Sequence, residues 1–345
     1  MKAKVVSNQN LDANKRKILH EVVPMDVPFR IFIEPSGYCN LKCVFCAAHA
    51  EANNPGGGGY DKLKPTLMPF EMFEKVVEQI KEFGAQLKIL DFVGYGEPLM
   101  NKDIAKMVAL TKKENIAEVI NLITNGTLLT PKLSEALVEA KLDRMKISVE
   151  ALREEDFWNI AKYKIDLKKF IENIKYFSSI KGKDCELYIK VTDLAIKKPQ
   201  DKDYFFETYG NLADKIYIEN VTPIWAGWDS EILNRKDEQT SYGTKLKEKK
   251  VCTSPFKFMQ VCADGIVLPC CADYMGKLSL GNVKESTLYE IWHGKKLASL
   301  MKNMLLHKKN QIFPCNECRL SENTDIDFLD GHEKEVLERL NNIDR

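Results

Sequence analysis

Residues 37–49 read GYCNLKCVFCAAH and set Cys39, Cys43 and Cys46 in a C-x3-C-x2-C pattern directly after the apolar run FRIFIE at 29–34. No other feature constrains the fold as tightly, because a loop carrying three thiols must close around whatever they bind. Three thiolates leave the fourth corner of a cubane iron-sulfur cluster without a protein ligand, whereas structural zinc almost always takes four ligands. The spacing therefore favours a 4Fe-4S cluster with one open iron. A zinc site completed by His49, and three unrelated buried thiols, are the competing readings. Nine of the ten cysteines lie in 39–46, 252–271 and 315–318, a grouping that suits metal ligation in a reducing compartment better than disulfides. Cys185, alone before a strand-like run, reads as a small buried hydrophobe.

The N-terminus MKAKVVSNQNLDANKRK has no apolar core of signal-peptide length, and no run reaches the roughly 18 apolar residues of a membrane span. The expectation is a cytoplasmic protein with no membrane partner. Lys and Arg number 51 against 50 Asp and Glu, so no broad field draws nucleic acid.

Strand-like runs recur at 29–34, LKILDFV (87–93), EVINLIT (118–124), DRMKISV (143–149), ELYIKV (186–191) and KIYIENV (215–221). Amphipathic helical patterns lie between them. PFEMFEKVVEQIKEF (69–83) puts Phe70, Phe73, Val76, Val77 and Ile80 on one face. PKLSEALVEAKL (131–142) has Thr130 as N-cap and Pro131 at its first helical position. Alternating strands and helices predict an α/β fold with a parallel sheet, and the near-continuous apolar strands predict burial on both faces. Six repeats over 29–232 make a partial (β/α)6 barrel, in which ligands gather at the carboxyl ends of the strands. NNPGGGGYDK (53–62) reads as a mobile loop, not a phosphate cradle, because no G-K-[ST] follows. Residues 1–28 read as an N-terminal extension and 233–320 as a polar linker, NRKDEQTSYGTKLKEKK, leading into a cysteine-rich module. Residues 321–345 read as a solvent-facing helix.

With this cysteine pattern after its first strand, the chain resembles the radical S-adenosylmethionine (SAM) superfamily over residues 29–320. Phe45 fills the aromatic position before the third cysteine, where the resemblance implies that backbone approaches the adenine. GYGEPL (94–99) resembles the family's Gly-Gly-Glu-Pro segment. This implies that backbone at Gly94, Tyr95 and Gly96, with the Glu97 carboxylate, holds the methionine ammonium; Tyr95 stands where glycine is commoner. TNGTLL (124–129) and ISVEA (147–151) imply ribose contacts near Asn125 and Ser148, and Lys190 a contact with the methionine carboxylate. Read by themselves, Asn125-Gly126 suits a tight turn, and Ser148 suits satisfaction of buried backbone. The resemblance implies SAM chelated at the open iron, one-electron cleavage of its carbon-sulfur bond, and hydrogen abstraction in a water-excluding interior. An electron donor such as flavodoxin or ferredoxin is implied with it.

Cys252 is followed by twelve residues, Gly265, four residues and Cys270, with Cys315 and Cys318 farther on. This resembles the opening of the SPASM pattern without its longer run of later cysteines. The resemblance implies the shortened "twitch" version: one auxiliary 4Fe-4S cluster on Cys252, Cys270, Cys315 and Cys318, and two such clusters in all. By spacing alone, a zinc ribbon on the Cys315-x-x-Cys318 pair stays open. Cys262 and Cys271 are unassigned. Full ligation of the auxiliary iron favours electron transfer, and the family likeness then points to dehydrogenation of a small polar molecule, a sugar, cyclitol or similar. Peptide modification, radical epimerisation with Cys262 or Cys271 as hydrogen donor, and a non-catalytic iron-sulfur relay are the alternatives. Molybdopterin-type cyclisation is disfavoured by the ending NNIDR. Glu150, Glu219, Asp273 and the tryptophans of PIWAGW (223–228) are candidates by location for handling substrate.

Overall fold

A short strand, β1 (Lys4–Val5), precedes six that coincide with the apolar runs: β2 (Arg30–Ile33), β3 (Leu87–Phe92), β4 (Ala117–Thr124), β5 (Arg144–Val149), β6 (Glu186–Thr192) and β7 (Lys215–Glu219). Three more follow, β8 (Phe258–Val261), β9 (Ile266–Leu268) and β10 (Gly281–Asn282). The computed structural model describes residues 1–6, 17–49, 65–222, 224–226, 239–324 and 327–342. The glycine-rich stretch at 53–62, Pro223, Gly227, Trp228 and the start of the linker lie outside the described residues.

The helices are α1 (Leu19–Val22), α2 (Phe70–Lys81), α3 (Ile104–Lys113), α4 (Pro131–Glu139), α5 (Glu154–Ala161), α6 (Leu167–Ile180), α7 (Pro199–Tyr209), α8 (Leu288–Trp292), α9 (Lys295–Leu305), α10 (Leu320–Thr324) and α11 (Glu333–Asn342). On α2 the expected apolar stripe is buried at Phe73, Val76, Val77 and Ile80. Each such side chain contributes about 1.5–3 kcal/mol when withdrawn from water. At α4 the expected cap forms, Thr130 Oγ1 accepting from Leu133 N–H at 3.2 Å.

The strand order is β1-β7-β6-β5-β4-β3-β2-β8-β9-β10. Strands β1 to β8 run parallel, and only β9 and β10 pair antiparallel. Three expectations need correction. The strands are not apolar on both faces. Ile31, Ile33, Leu90, Phe92, Ile147 and Val149 are buried in the main hydrophobic core. The alternate positions of the same strands carry Arg30, Asp91, Asn121, Lys146, Ser148, Lys190 and Glu219 on the inner face, the strand period being two. Second, the cysteine-rich module is not separate from the sheet: β8 pairs with β2, from Arg30 beside Phe258 to Ile33 beside Val261. Third, the C-terminal segment does not simply face solvent, since α11 packs on α9 and buries Val336 and Leu340. At the turn between β8 and β9 Gly265 adopts φ 94, a conformation that glycine takes without strain, and its N–H donates to Cys262 O at 2.9 Å.

Candidate active site

The loop after β2 is tied down on both sides of its thiols. Lys42 N–H donates to Ala161 O at 2.9 Å and Val44 N–H to Ile160 O at 2.8 Å, both at the end of α5. Cys39 Sγ accepts from Leu41 N–H at 3.4 Å, and Cys46 Sγ from the backbone of His49 and Ala48. Burial pushes the Cys39 thiol up to about 12, with Glu97, Cys46 and Glu150 adding like-charge repulsion. Burial likewise raises Cys43 and Cys46. Thiols in such a setting ionise when a positive centre stands among them, which is the chemistry of a cluster-ligating set. No three His, Cys, Asp or Glu side chains among the described residues converge tightly enough for a single metal ion. The ligands of a cubane stand farther apart, one on each iron. His49 turns to the backbone of Tyr95.

The GYGEPL segment lies against this loop. Glu97 N–H donates to Tyr38 O at 2.8 Å, and a Cβ on Gly96 would stand 2.3 Å from Ser36 O and 2.4 Å from Tyr38 O. Only glycine fits that approach. Gly94 is held to glycine by Glu34, whose Cγ would be 2.4 Å from an added Cβ. Glu97 itself is buried, its Oε1 accepting from Thr124 Oγ1 at 2.6 Å and Leu99 N–H at 2.9 Å, and its Oε2 from Asn125 N–H at 2.8 Å. The carboxylate thus joins the ends of β3 and β4. Asn125 Oδ1 accepts from Thr127 N–H at 2.9 Å, the turn contact read from sequence. Its Nδ2 reaches Asn40, inside the cysteine loop, at 3.1 Å. Phe45 is half-buried and packs between the main core and a second apolar cluster that contains Tyr95 and Cys262.

Glu34, just past β2, was not singled out from sequence. Its Oε1 accepts from Tyr95 N–H at 2.7 Å and its Oε2 from Ala263 N–H at 3.0 Å. One carboxylate therefore fastens the end of β2, the GYGEPL segment and the β8–β9 hairpin together. Burial raises it from the ordinary 4.5 to about 7. The only sequence signal was a charge ending the alternation Arg30, Phe32, Glu34.

The inner face forms a polar lumen. Arg30 Nε meets Asp91 at 2.9 Å, and Asn121 Nδ2 donates to the same carboxylate. Lys190 pairs with Glu219. Burial would lower the Lys190 ammonium, but Glu219 and Glu150 outweigh it and raise it. Ser148 sits beside Lys190 in the strand register. Lys146 is lowered to about 7 by burial and then by Lys190. Glu150 is raised to about 7 by burial, against the pull of Lys190. The buried atoms Asn121 Oδ1, Glu150 Oε2, Thr192 Oγ1 and Tyr217 Oη have no hydrogen-bond partner among the described residues. Asp273 lies elsewhere in role: its carboxylate accepts from Lys277 and Leu278 N–H at 2.9 and 2.7 Å and closes a turn. Trp225 packs edge-on against Tyr274.

The later cysteines gather beside this lumen. Cys270 is raised well above its ordinary value by burial and then by Cys271, Cys318, Cys252 and Cys315, so those four lie within electrostatic reach of Cys270. Cys318 Sγ accepts from Leu320 N–H at 3.4 Å. Cys271 feels Arg30 and Asp91 as well as Cys318, placing it between the cysteine group and the lumen. Cys262 is buried near Tyr95 and Gln260.

The profile of the radical SAM superfamily matches residues 33–203, and that of the SPASM iron-sulfur cluster-binding domain matches residues 252–319. The chain belongs to the radical SAM superfamily. The first match implies a 4Fe-4S cluster with SAM, and the second implies further iron-sulfur. A probable GTP 3',8-cyclase of Methanococcus maripaludis (strain C5) is 35% identical over 150 residues, 42% of this chain and 45% of that one. The GTP 3',8-cyclase of Aquifex aeolicus (strain VF5) is 27% identical over 314 residues, 80% of this chain and 92% of that one. The chain spans about half the length of the first of these, and of a Clostridium botulinum cyclase that it also matches. Among solved structures, BtrN in complex with AdoMet and 2-DOIA has a TM-score of 0.55 at 19% identity, over 88% of this chain and 97% of that one. A structure of anSMEcpe with AdoMet and Cp18Cys peptide has a TM-score of 0.56 at 18% identity, over 86% and 87%. At such identity the likeness bears on the fold alone. No helix of the described residues is long and apolar enough to cross a membrane.

Proposed function

We propose that this radical SAM enzyme dehydrogenates a polar small molecule, a sugar, cyclitol or similar, bound in the lumen, and that it works in the cytoplasm with a protein electron donor. The observation that carries the reading is the set of buried polar atoms without partners among the described residues, Asn121 Oδ1, Glu150 Oε2, Thr192 Oγ1 and Tyr217 Oη. Buried polar atoms are normally hydrogen-bonded, and a hydroxyl-rich ligand would satisfy these. When bound, the cluster on Cys39, Cys43 and Cys46 with SAM supplies a 5'-deoxyadenosyl radical, and the cluster on Cys252, Cys270, Cys315 and Cys318 supplies an acceptor for one electron. Backbone at Gly94, Tyr95 and Gly96, with Phe45, Asn125, Ser148 and Lys190, holds SAM. Glu150, raised to about 7, accepts the proton at Oε2 when a hydroxyl-bearing carbon has lost its hydrogen atom. The substrate thus loses one hydrogen atom, one proton and one electron, and becomes a carbonyl compound.

The names of the curated relatives favour a second reading, hydrogen abstraction from a nucleotide followed by ring closure. Arg30, Lys146 and Lys190 in the lumen suit its phosphates. A panel of sugars, cyclitols and GTP, incubated with SAM and reductant, separates the two. Dehydrogenation gives one oxidised product per 5'-deoxyadenosine, and Cys315→Ala with Cys318→Ala abolishes that product while SAM cleavage continues. Turnover of GTP to a cyclised isomer, or an unoxidised epimer carrying a solvent hydrogen, sinks the dehydrogenase reading.

A further inference from the structure

We propose that the outer face of α5, centred on Trp158 with Lys162 and Lys164, docks an acidic one-electron carrier protein that reduces the cluster held by Cys39, Cys43 and Cys46. The proposal rests on membership of the radical SAM superfamily, not on the choice of substrate. Each turnover that cleaves SAM needs one electron, which the carrier loses and the cluster gains. Electron transfer weakens steeply with distance, so the carrier must seat on the surface nearest the ligating loop. Helix α5 lies directly against that loop. Its terminal carbonyls, Ile160 and Ala161, accept the amides of Val44 and Lys42 on either side of Cys43.

A single exposed aromatic means little by itself. Trp158, however, is 50% exposed on this helix, and Lys164 Nζ stands 5.9 Å from its ring centroid. Lys162, at the left-handed C-cap with φ 54, is exposed just beyond it. Lys42, between two of the thiols, is exposed as well. The acidic residues of α5 lie in its first turn, at the far end of the helix, and Glu154 there is bonded to Leu167 N–H at 3.0 Å. The helix is therefore polarised, with its cationic end on the cysteine loop. An exposed aromatic with a cation over its ring, at the lysine-bearing end of the helix, suits the small, charge-steered interfaces of redox partners.

The test uses enzyme loaded with its clusters, reduced flavodoxin as the acidic carrier, and dithionite as a small reductant that needs no docking. Lys162→Asn with Lys164→Gln, and separately Trp158→Ala, should raise the KM for flavodoxin about tenfold and flatten its salt dependence, while the dithionite-driven rate stays within about twofold. Flavodoxin binding measured by calorimetry should weaken in the same order. Lys295→Glu, a charge reversal on α9, which packs against α11 and α8, should change neither. The stronger reversal Lys162→Glu with Lys164→Glu extends the series, and the neutral variants carry the test if it folds poorly. Unchanged flavodoxin KM and binding, or an equal fall with both reductants, would overturn the proposal.

Discussion

Glu97 offers the sharpest check on how the carboxyl ends of β3 and β4 are held together. Its side chain is 2% exposed and accepts three hydrogen bonds, from Thr124, Leu99 and Asn125. In Glu97→Gln the remaining carbonyl oxygen can keep Thr124 and Leu99, but the new NH2 faces Asn125 N–H. One buried backbone donor loses its acceptor, at about 1–3 kcal/mol. Burial raises the Glu97 carboxyl despite those three bonds, so removing the charge recovers part of its desolvation and puts the variant at the low end of that range. Glu97→Ala strands all three donors and adds a void, for about 3–6 kcal/mol. Urea unfolding followed by circular dichroism would give both values as shifts in midpoint at constant slope. Alanine and glutamine variants of equal, near-native stability would refute the reasoning. A glutamine variant of native stability that no longer binds SAM would show instead that the carboxylate acts on the methionine ammonium directly.

Anaerobically prepared enzyme should carry about eight irons, and Cys39→Ala, Cys43→Ala and Cys46→Ala together should leave about four; retention of eight would dismiss that site. Gly96→Ala should also drop the iron count to about four, because its Cβ meets two backbone carbonyls of the cysteine loop at 2.3 and 2.4 Å; an unaltered iron content and SAM affinity would contradict the close approach. Glu34, raised from 4.5 to about 7 by burial, favours its protonated form in the fold. Its contribution is full below the unfolded value and is lost as pH rises through about 7, lowering stability by about 3 kcal/mol at most. Unfolding midpoints measured across that window should slope downward, and the slope should flatten in Glu34→Gln. A parallel pH profile in the variant would mean that another group sets it.

Much of the architecture was legible because it is written locally. Apolar runs bounded by turns marked each of the six barrel strands, the Thr130-Pro131 pair marked the start of α4, and the spacing of Cys39, Cys43 and Cys46 depends on a loop of eight residues. The first strand escaped notice because β1 is two residues long and gains its pairing only from β7, over two hundred residues away. The charges inside the strands were also visible, yet their meaning was not. Arg30, Asp91, Lys146 and Lys190 could be read as interruptions of apolar runs until the parallel register placed them on one inner face. Glu34 shows the limit most clearly. No local rule connects it to Ala263, 229 residues on, because that bond exists only once β8 lies beside β2. Local periodicity and spacing specify the strands, the helices and the thiol loop, since those depend on neighbours along the chain. The polar lumen, and the carboxylate that locks the β8–β9 hairpin onto the GYGEPL segment, follow from which strands lie side by side. Hydrophobic burial of the outer face drives that pairing, and the polar residues at alternate positions are carried inward by the same two-residue period.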